Sequence, residues 1–560
     1  MLCRTARPSG SQIPARFAGY AALILWTLLL ASCAGRSDPP DDSPEQSRIQ
    51  DTVERQLDLL LDSVAPVGGQ ALPDDSLLAF YEQRNYRPLW LDNHDALDDL
   101  LNQLQRAGEH GLNPVDYHID ALRGYRRLAR PDRRQQAEMD VLATMAMQAY
   151  AHDLSSGRFD PSLIDTNWQM DLPNGDWKTL LDLESAQQMV DTLPSLAPQH
   201  PHYQALQRWL AYYLELDRRG IEIRVPQGEL LLRGSNGARV SLLRQRMQQL
   251  GDLRGPERPQ NPNQFDAALE EAVRNFQSRH GLDADGRVGS QTLAAINVPI
   301  AERAEQIRLN LERWRWLPAE LEEDRIWVDL TAYEVHMHLH GEHHSMRAVI
   351  GKPDRMTRVF RGEMTYMEIN PTWRVPQRIA REMLLPQVQQ DANYLQRNNY
   401  RVFEGWHSGA AEVDPDSVDW LAMRPEDLGY RFEQMPDPGN AMGQYKFMFP
   451  NRNAIYLHDT PSQAYFNQAD RARSAGCVRL HDPSFFADLL VREDIGARDR
   501  LNMARRVDDP TVVSLNEPVP IYLVYFTVMV DSRGLPEFRE DIYDRDPLMR
   551  EAMQYRAFGG

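Results

Sequence analysis

The feature that most restricts the fold is a change of hydrophobic period near residue 325. Before it, apolar residues recur at helical spacing. Ala137, Val141, Leu142, Met145, Ala146 and Ala149 fall on one face of a run, as 3.6 residues per turn requires. After it, Trp327-Val328-Asp329-Leu330 and the stretch from Tyr333 to His340 alternate with period two, the mark of half-buried strands joined as a hairpin. A chain that switches from helices to strands segregates its two kinds of element. Its 560 residues also exceed one core at roughly 100–200 residues per domain. The expected fold class is therefore α+β and multidomain: a helical N-terminal scaffold, a three-helix module, and a mixed, mainly-β domain with a helical lid insertion.

The boundaries follow from local composition. Residues 1–33 read as a targeting segment, because Arg4, Arg7 and Arg16 precede an apolar run at 21–30 that is too short for a membrane span. The run ends in Leu30-Ala31-Ser32-Cys33, which resembles a bacterial lipobox. That resemblance implies lipidation of Cys33 and, with Ala34 rather than an acidic residue following, an outer-membrane anchor facing the periplasm. Residues 34–50, rich in Pro, Asp and Ser, form a tether. The scaffold is expected at 51–228, the three-helix module at 229–298, a linker helix at 299–325, the β domain at 326–505 with its lid at about 379–440, and a C-terminal extension at 506–560. In the linker, Trp314 and Trp316 are expected to pack between domains.

Within the module, Val240, Leu243, Met247 and Leu250 form one apolar stripe capped by Gly251, and Leu269, Val273 and Phe276 form a second. Asp283 to Gly286 is turn chemistry, and Ser290 is placed to cap a third helix ending at Ile296. In the β domain His336, His338 and His340 share one strand face, with His343 and His344 expected in the turn. No cysteine completes a zinc set there, so the group reads as an exposed polar face and no metal is expected.

Three cysteines occur, Cys3, Cys33 and Cys477. The first two lie in the targeting segment, so the folded part keeps one thiol and no internal disulfide. His458 stands 19 residues before Cys477 (477 − 458 = 19). A cysteine with a nearby imidazole is a nucleophile pattern, since the thiolate attacks carbonyls and the ring takes the proton. Ala454 to Leu457 is apolar and β-favouring, which puts His458 at the end of a strand. Ser474, Ala475 and Gly476 are small, and glycine allows a backbone geometry that aims peptide N–H groups at an oxyanion. A buried structural cysteine with an unrelated surface histidine would leave the same letters.

His458-Asp459-Thr460-Pro461, followed at this spacing by Ser474-Ala475-Gly476-Cys477-Val478-Arg479, resembles the active-site signature of the L,D-transpeptidases, bacterial cell-wall enzymes with a cysteine nucleophile. Many members carry His where Ala475 stands. The resemblance implies that Cys477 is the nucleophile and His458 its base. It implies an oxyanion hole near Gly476 and Cys477 with help near Tyr456, a loop-ordering or carboxylate-binding role for Arg479, and Asp459 orienting His458 through its carbonyl or its side chain. Asn370 to Pro376, with Trp373 as a cleft wall, and Pro438 to Phe447, with Asn440, are further matches, and they imply Trp373 and Asn440 as substrate-binding residues. Phe265-Asp266, Phe276-Gln277, His280-Gly281-Leu282, Asp285-Gly286 and Val288-Gly289 resemble the peptidoglycan-binding domain type 1, a second pointer to the cell wall.

Lysine occurs only at 178, 352 and 446. A chain that otherwise uses Arg but places Lys446 near its catalytic strand suggests a compact ammonium for a stem-peptide carboxylate, or simply a packing position. The net charge of −19 argues against nucleic acid and anionic membrane surfaces, leaving the lipid as the membrane link. The implied function is formation of 3→3 cross-links between the diamino acids of tetrapeptide stems, with peptidoglycan as donor and acceptor and no cofactor. Three readings stay open beside it: water as acceptor, a protein lysine as acceptor, and an inert wall-binding lipoprotein.

Overall fold

The computed structural model describes residues 48–55, 76–173, 175–254 and 261–557. Cys33, the targeting segment and nearly all of the tether lie outside the described residues. No described helix is long and apolar enough to cross a membrane.

The scaffold surrounds α1 (Arg133–Ser156), whose start is fixed by a capping box between Asp132 and Gln135. Apolar residues were expected along one face, yet Asp140, Thr144 and Gln148 are buried as well, because neighbouring segments wrap the helix. The Asp140 carboxylate accepts from the N–H groups of Leu89 and Trp90 and from the Tyr81 hydroxyl, at 2.9, 2.7 and 2.7 Å. A buried carboxylate needs such partners. The scaffold ends in α2 (Pro201–Arg218).

The module consists of α3 (Ala238–Gln249), α4 (Ala267–Arg279) and α5 (Ser290–Ile296). Both expected stripes are buried, and Gly251 adopts φ +84°. Ser290 does not cap α5: Gly289 holds that position and makes no side-chain bond. The linker helix α6 (Ile300–Arg315) packs on α2. Trp314 at its end stacks on His200 at 4.6 Å and on Trp327 at 6.0 Å, while Trp316 meets Trp168 at 4.8 Å. Both tryptophans are buried between domains as expected.

The β domain is one mixed sheet. Its strands are β1 (Arg325–Asp329), β2 (Glu334–Leu339), β3 (Glu342–Gly351), β4 (Phe360–Ile369), β9 (Tyr445–Met448), β10 (Leu457–His458), β11 (Ala472–Ser474), β12 (Val478–Leu480) and β13 (Thr511–Val524), with four intervening strands in the insertion. They run in the order β11-β3-β12-β10-β9-β4-β13-β1-β2, and a further β2–β3 pairing closes the sheet on itself. Among the described residues, only the short β11, paired with β3 alone, is left at the margin of the closed sheet. The end of β13, from Ile521 to Val524, is fully buried and pairs parallel with β1. Beyond it, β14 (Val528–Val530) and β15 (Pro536–Phe538) form a hairpin, followed by a last helix at Arg545–Ala557.

Two expectations need correction here. His343 and His344 lie in β3, and the turn is at His340-Gly341. The His336/His338 face is not open: with His343 it lines a cavity of about 620 Å³ shared with His200, His202 and Trp314. The stretch 483–501 is two helices, Pro483–Leu490 and Ile495–Ala504, and Asp494 caps the second.

The insertion is also less helical than expected. It contains a four-stranded antiparallel sheet, β5 (Trp373–Arg374), β8 (Tyr430–Gln434), β6 (Tyr400–Glu404) and β7 (Glu412–Val413) in spatial order, beside short helices at 377–390. Val375, Leu385, Val402, Trp420 and Phe432 form its separate small core. Strands of two to five residues bounded by Gly, Pro and Asn leave too short an alternation to outweigh the helical signals around them.

Candidate active site

His458 ends β10, and Cys477 immediately precedes β12, the neighbouring parallel strand. Leu457 of β10 registers with Val478 of β12 and His458 with Arg479, while the Val478 N–H donates to the Tyr456 carbonyl at 3.3 Å. Sequence neighbours two apart on a strand share a face, so Tyr456 and His458 point the same way, with ring centroids 5.6 Å apart. The Tyr456 hydroxyl lies beside both the Cys477 thiol and the Trp373 side chain. Thiol, phenol and imidazole thus group at the end of the sheet, and Trp373 on β5 joins them from the insertion.

The loop that carries Cys477 is tightly specified. Gly476 has φ +123°, where any side chain would be strained. The Ser474 hydroxyl donates to the Cys477 carbonyl at 2.5 Å and accepts the Gly476 N–H at 3.1 Å. Gly476 therefore spends its own N–H inside the loop and is not an oxyanion donor, contrary to expectation. The Cys477 thiol is half-buried, lies 3.8 Å from the Ala454 carbonyl, and burial pushes its pKa up.

His458 is 2% exposed. Its Nδ1–H donates to the Asp459 carbonyl at 2.5 Å, which leaves Nε2 as the ring's free lone pair. The orienting group is thus the backbone of Asp459. Its carboxylate instead accepts from the N–H groups of Gln444 and Thr460 at 2.8 and 2.7 Å. Burial first, and then the Arg479 and Lys446 charges on the flanking strands, hold the His458 pKa down to about 3. The resting pair is therefore a neutral imidazole and a protonated thiol.

Arg479 is partly buried beside Tyr465 and Cys477, and its Nε has no hydrogen-bond partner. Lys446 pairs with Glu368 at 3.1 Å and lies 4.8 Å over the Tyr456 ring. Asn440, expected to meet substrate, is fully buried. Its amide N–H₂ group donates to the carbonyls of Pro371, Gln434 and Met435, and its oxygen accepts the Met442 N–H. It fastens the insertion to the sheet rather than facing the cleft. Sequence reasoning missed Glu368, since nothing near it in sequence links it to Lys446. It also missed Gly443, whose φ of +58° and closeness to Asp459 leave no room for a side chain.

Known families match the chain in three places. Residues 75–210 match the “Scaffold domain”, residues 236–296 the “Putative peptidoglycan binding domain”, and residues 323–513 the “L,D-transpeptidase catalytic domain”. A “Putative L,D-transpeptidase” of Haemophilus influenzae is 30% identical over 243 residues, covering 43% of this chain and 48% of that protein. The match thus spans about half the length of the curated relative. Among solved structures, an L,D-transpeptidase from Xylanimonas cellulosilytica covers 53% of this chain and 99% of its own, at 17% identity and a TM-score of 0.17. A “Fused Zn-dependent amidase/peptidase/peptodoglycan-binding domain-containing protein” from Clostridium acetobutylicum covers 53% and 100%, at 12% identity and a TM-score of 0.14. Overlaps at such TM-scores carry no weight. The sequence matches do: at residues 323–513 the chain carries a catalytic domain of the L,D-transpeptidase family, preceded by a peptidoglycan-binding domain and a scaffold domain.

Proposed function

We propose that the protein is a peptidoglycan L,D-transpeptidase that works through a cysteine acyl-enzyme and is held to the outer membrane, facing the periplasm, by a lipid on Cys33. The observation that carries this reading is the grouping of Cys477, Tyr456 and His458 where β10 and β12 run side by side, with the Nδ1–H of His458 committed to the Asp459 carbonyl. His458 Nε2 removes the thiol proton as sulfur attacks the carbonyl of the diamino acid at the third stem position. The C–S bond forms, the tetrahedral oxyanion is met by the Cys477 N–H and the Tyr456 hydroxyl, and the imidazolium protonates the departing D-alanine amine. An amine of a neighbouring stem then attacks the thioester, returning the proton to sulfur and leaving a 3→3 amide.

Proton transfer here accompanies attack, because burial disfavours a standing thiolate–imidazolium pair. Arg479 and Lys446 supply positive charge for a stem carboxylate, and the insertion carrying Trp373 shields the thioester from water. The test is mass spectrometry after incubation with a carbapenem, which traps the cysteine of this family. An adduct on the wild type that is absent from Cys477→Ala supports the enzyme, and 3→3 linked muropeptides in sacculi from expressing cells identify the acceptor as a stem amine. A wild type that stays unmodified where an active homologue is acylated rejects the reading.

A further inference from the structure

A buried threonine outside both signature motifs touches the peptide unit that bears the expected oxyanion donor. Thr357, fully buried, donates from its hydroxyl to the Gly476 carbonyl at 2.9 Å and accepts the Gly351 N–H at 2.9 Å. Its own N–H donates to the Tyr543 hydroxyl at 3.2 Å, and that hydroxyl donates onward to the Gly351 carbonyl at 2.6 Å. Gly351 has no room for a side chain: a Cβ there would lie 2.2 Å from the Arg355 carbonyl. The turn 351–357 is therefore closed on itself and clamped from behind by the C-terminal extension.

The Gly476 carbonyl and the Cys477 N–H belong to one planar trans peptide unit, so they point in opposite directions. A donor that holds the carbonyl on the Thr357 side fixes the N–H toward the opposite side. Gly476, at φ +123°, is the residue at which this plane would otherwise swing most freely. We propose that Thr357 is a positioning residue for catalysis: by holding the Gly476 carbonyl it aims the Cys477 N–H at the tetrahedral oxyanion, and Tyr543 holds Thr357 in place. This rests on the acyl-enzyme reading above and adds to it a role for two residues that the family signature does not include.

The test compares Thr357→Val, which keeps the shape and removes the hydroxyl, with Thr357→Ser, which keeps the donor. Carbapenem acylation by Thr357→Val is expected to fall about 100-fold in its first-order rate, with half-saturation within about twofold of wild type, as for loss of one oxyanion donor. Thr357→Ser is expected to recover to within about fivefold, and Tyr543→Phe to fall between the two. Alkylation of Cys477 by iodoacetamide develops no oxyanion and is expected to be unchanged in all three. Wild-type acylation rates in Thr357→Val, equal losses of acylation and alkylation, or no recovery in Thr357→Ser would each overturn the inference. Absence of any adduct on the wild type is a separate outcome, which removes the acyl-enzyme reading and this inference with it.

Discussion

Because the thiol pKa is raised and the imidazole pKa is held down, the pH profile of Cys477 should differ from that of a preformed ion pair. His458 must be neutral to act as base, and its pKa is about 3. Acylation by a carbapenem should therefore stay flat as pH falls from 7 to 5, where an imidazole at its ordinary 6.5 would already have lost most of its base form. Alkylation should rise with pH through a midpoint above the ordinary thiol value of 9.0. Stopped-flow acylation and iodoacetamide kinetics measure the two. Tyr456→Phe removes the hydroxyl beside the sulfur, a proposed oxyanion donor, and should slow acylation about 100-fold. At this scale the pair of residues was legible, because a lone thiol and a histidine at motif spacing are discrete letters. The use of Asp459 was not, since carbonyl and carboxylate orientation leave the same sequence. Nor was the occupation of the Gly476 N–H, which depends on where the Ser474 hydroxyl points.

At the scale of elements, two short joints decide how the insertion and the histidine strand meet. Gly443 stands where β9 begins, and a Cβ there would lie 2.3 Å from Asp459 Cγ in a left-handed backbone. Gly443→Ala should cost about 1–3 kcal/mol for the strain alone. It should also slow acylation, since displacing Asp459 moves the carbonyl that orients His458; thermal unfolding and the carbapenem rate read these separately. Asn440 offers the contrast. Asn440→Ala strips four hydrogen bonds from a buried joint and should destabilise by about 1–3 kcal/mol or more. Hydrogen exchange should quicken across β5 and β8 while iodoacetamide still reaches Cys477. The start of the barrel was readable from alternation in 327–340, and the three-helix module from its stripes. The insertion's strands were not readable, because they pair with one another across separations from 9 residues (412 − 403) to 61 (434 − 373) and no local period announces it.

At the scale of the molecule, the domains are joined by buried polar groups that sequence patterns do not reveal. His200 accepts the His202 N–H through Nδ1 at 3.3 Å, and a ring nitrogen of His336 faces one of His343 at 3.3 Å. Each contact lies within its own domain, on a wall of the cavity that scaffold and sheet share, and each needs a neutral acceptor ring. Burial, followed by neighbouring imidazoles and the Arg325 or Arg539 charges, holds His200, His202, His336 and His338 at about 4. The unfolded chain, near 6.5, takes up these protons first, so stability should be full above pH 6.5 and decline as pH falls toward 4.

The peptidoglycan-binding domain is tied on differently. Arg279 of α4 pairs with Asp252 at 2.6 Å and donates to the Pro536 carbonyl in β15 at 2.5 Å, with both ionic side chains buried. Desolvation opposes such a pair, so its value lies less in net stability than in leaving no tolerable alternative partner. Arg279→Met alone strands the Asp252 carboxylate and should cost about 3–5 kcal/mol, freeing the hairpin β14–β15. Arg279→Met combined with Asp252→Leu should restore most of that loss. Hydrogen exchange at 528–538 checks both variants: fast in the single and near wild type in the double. Equal loosening in the two would mean that the Pro536 contact, and not the stranded charge, holds the domains together.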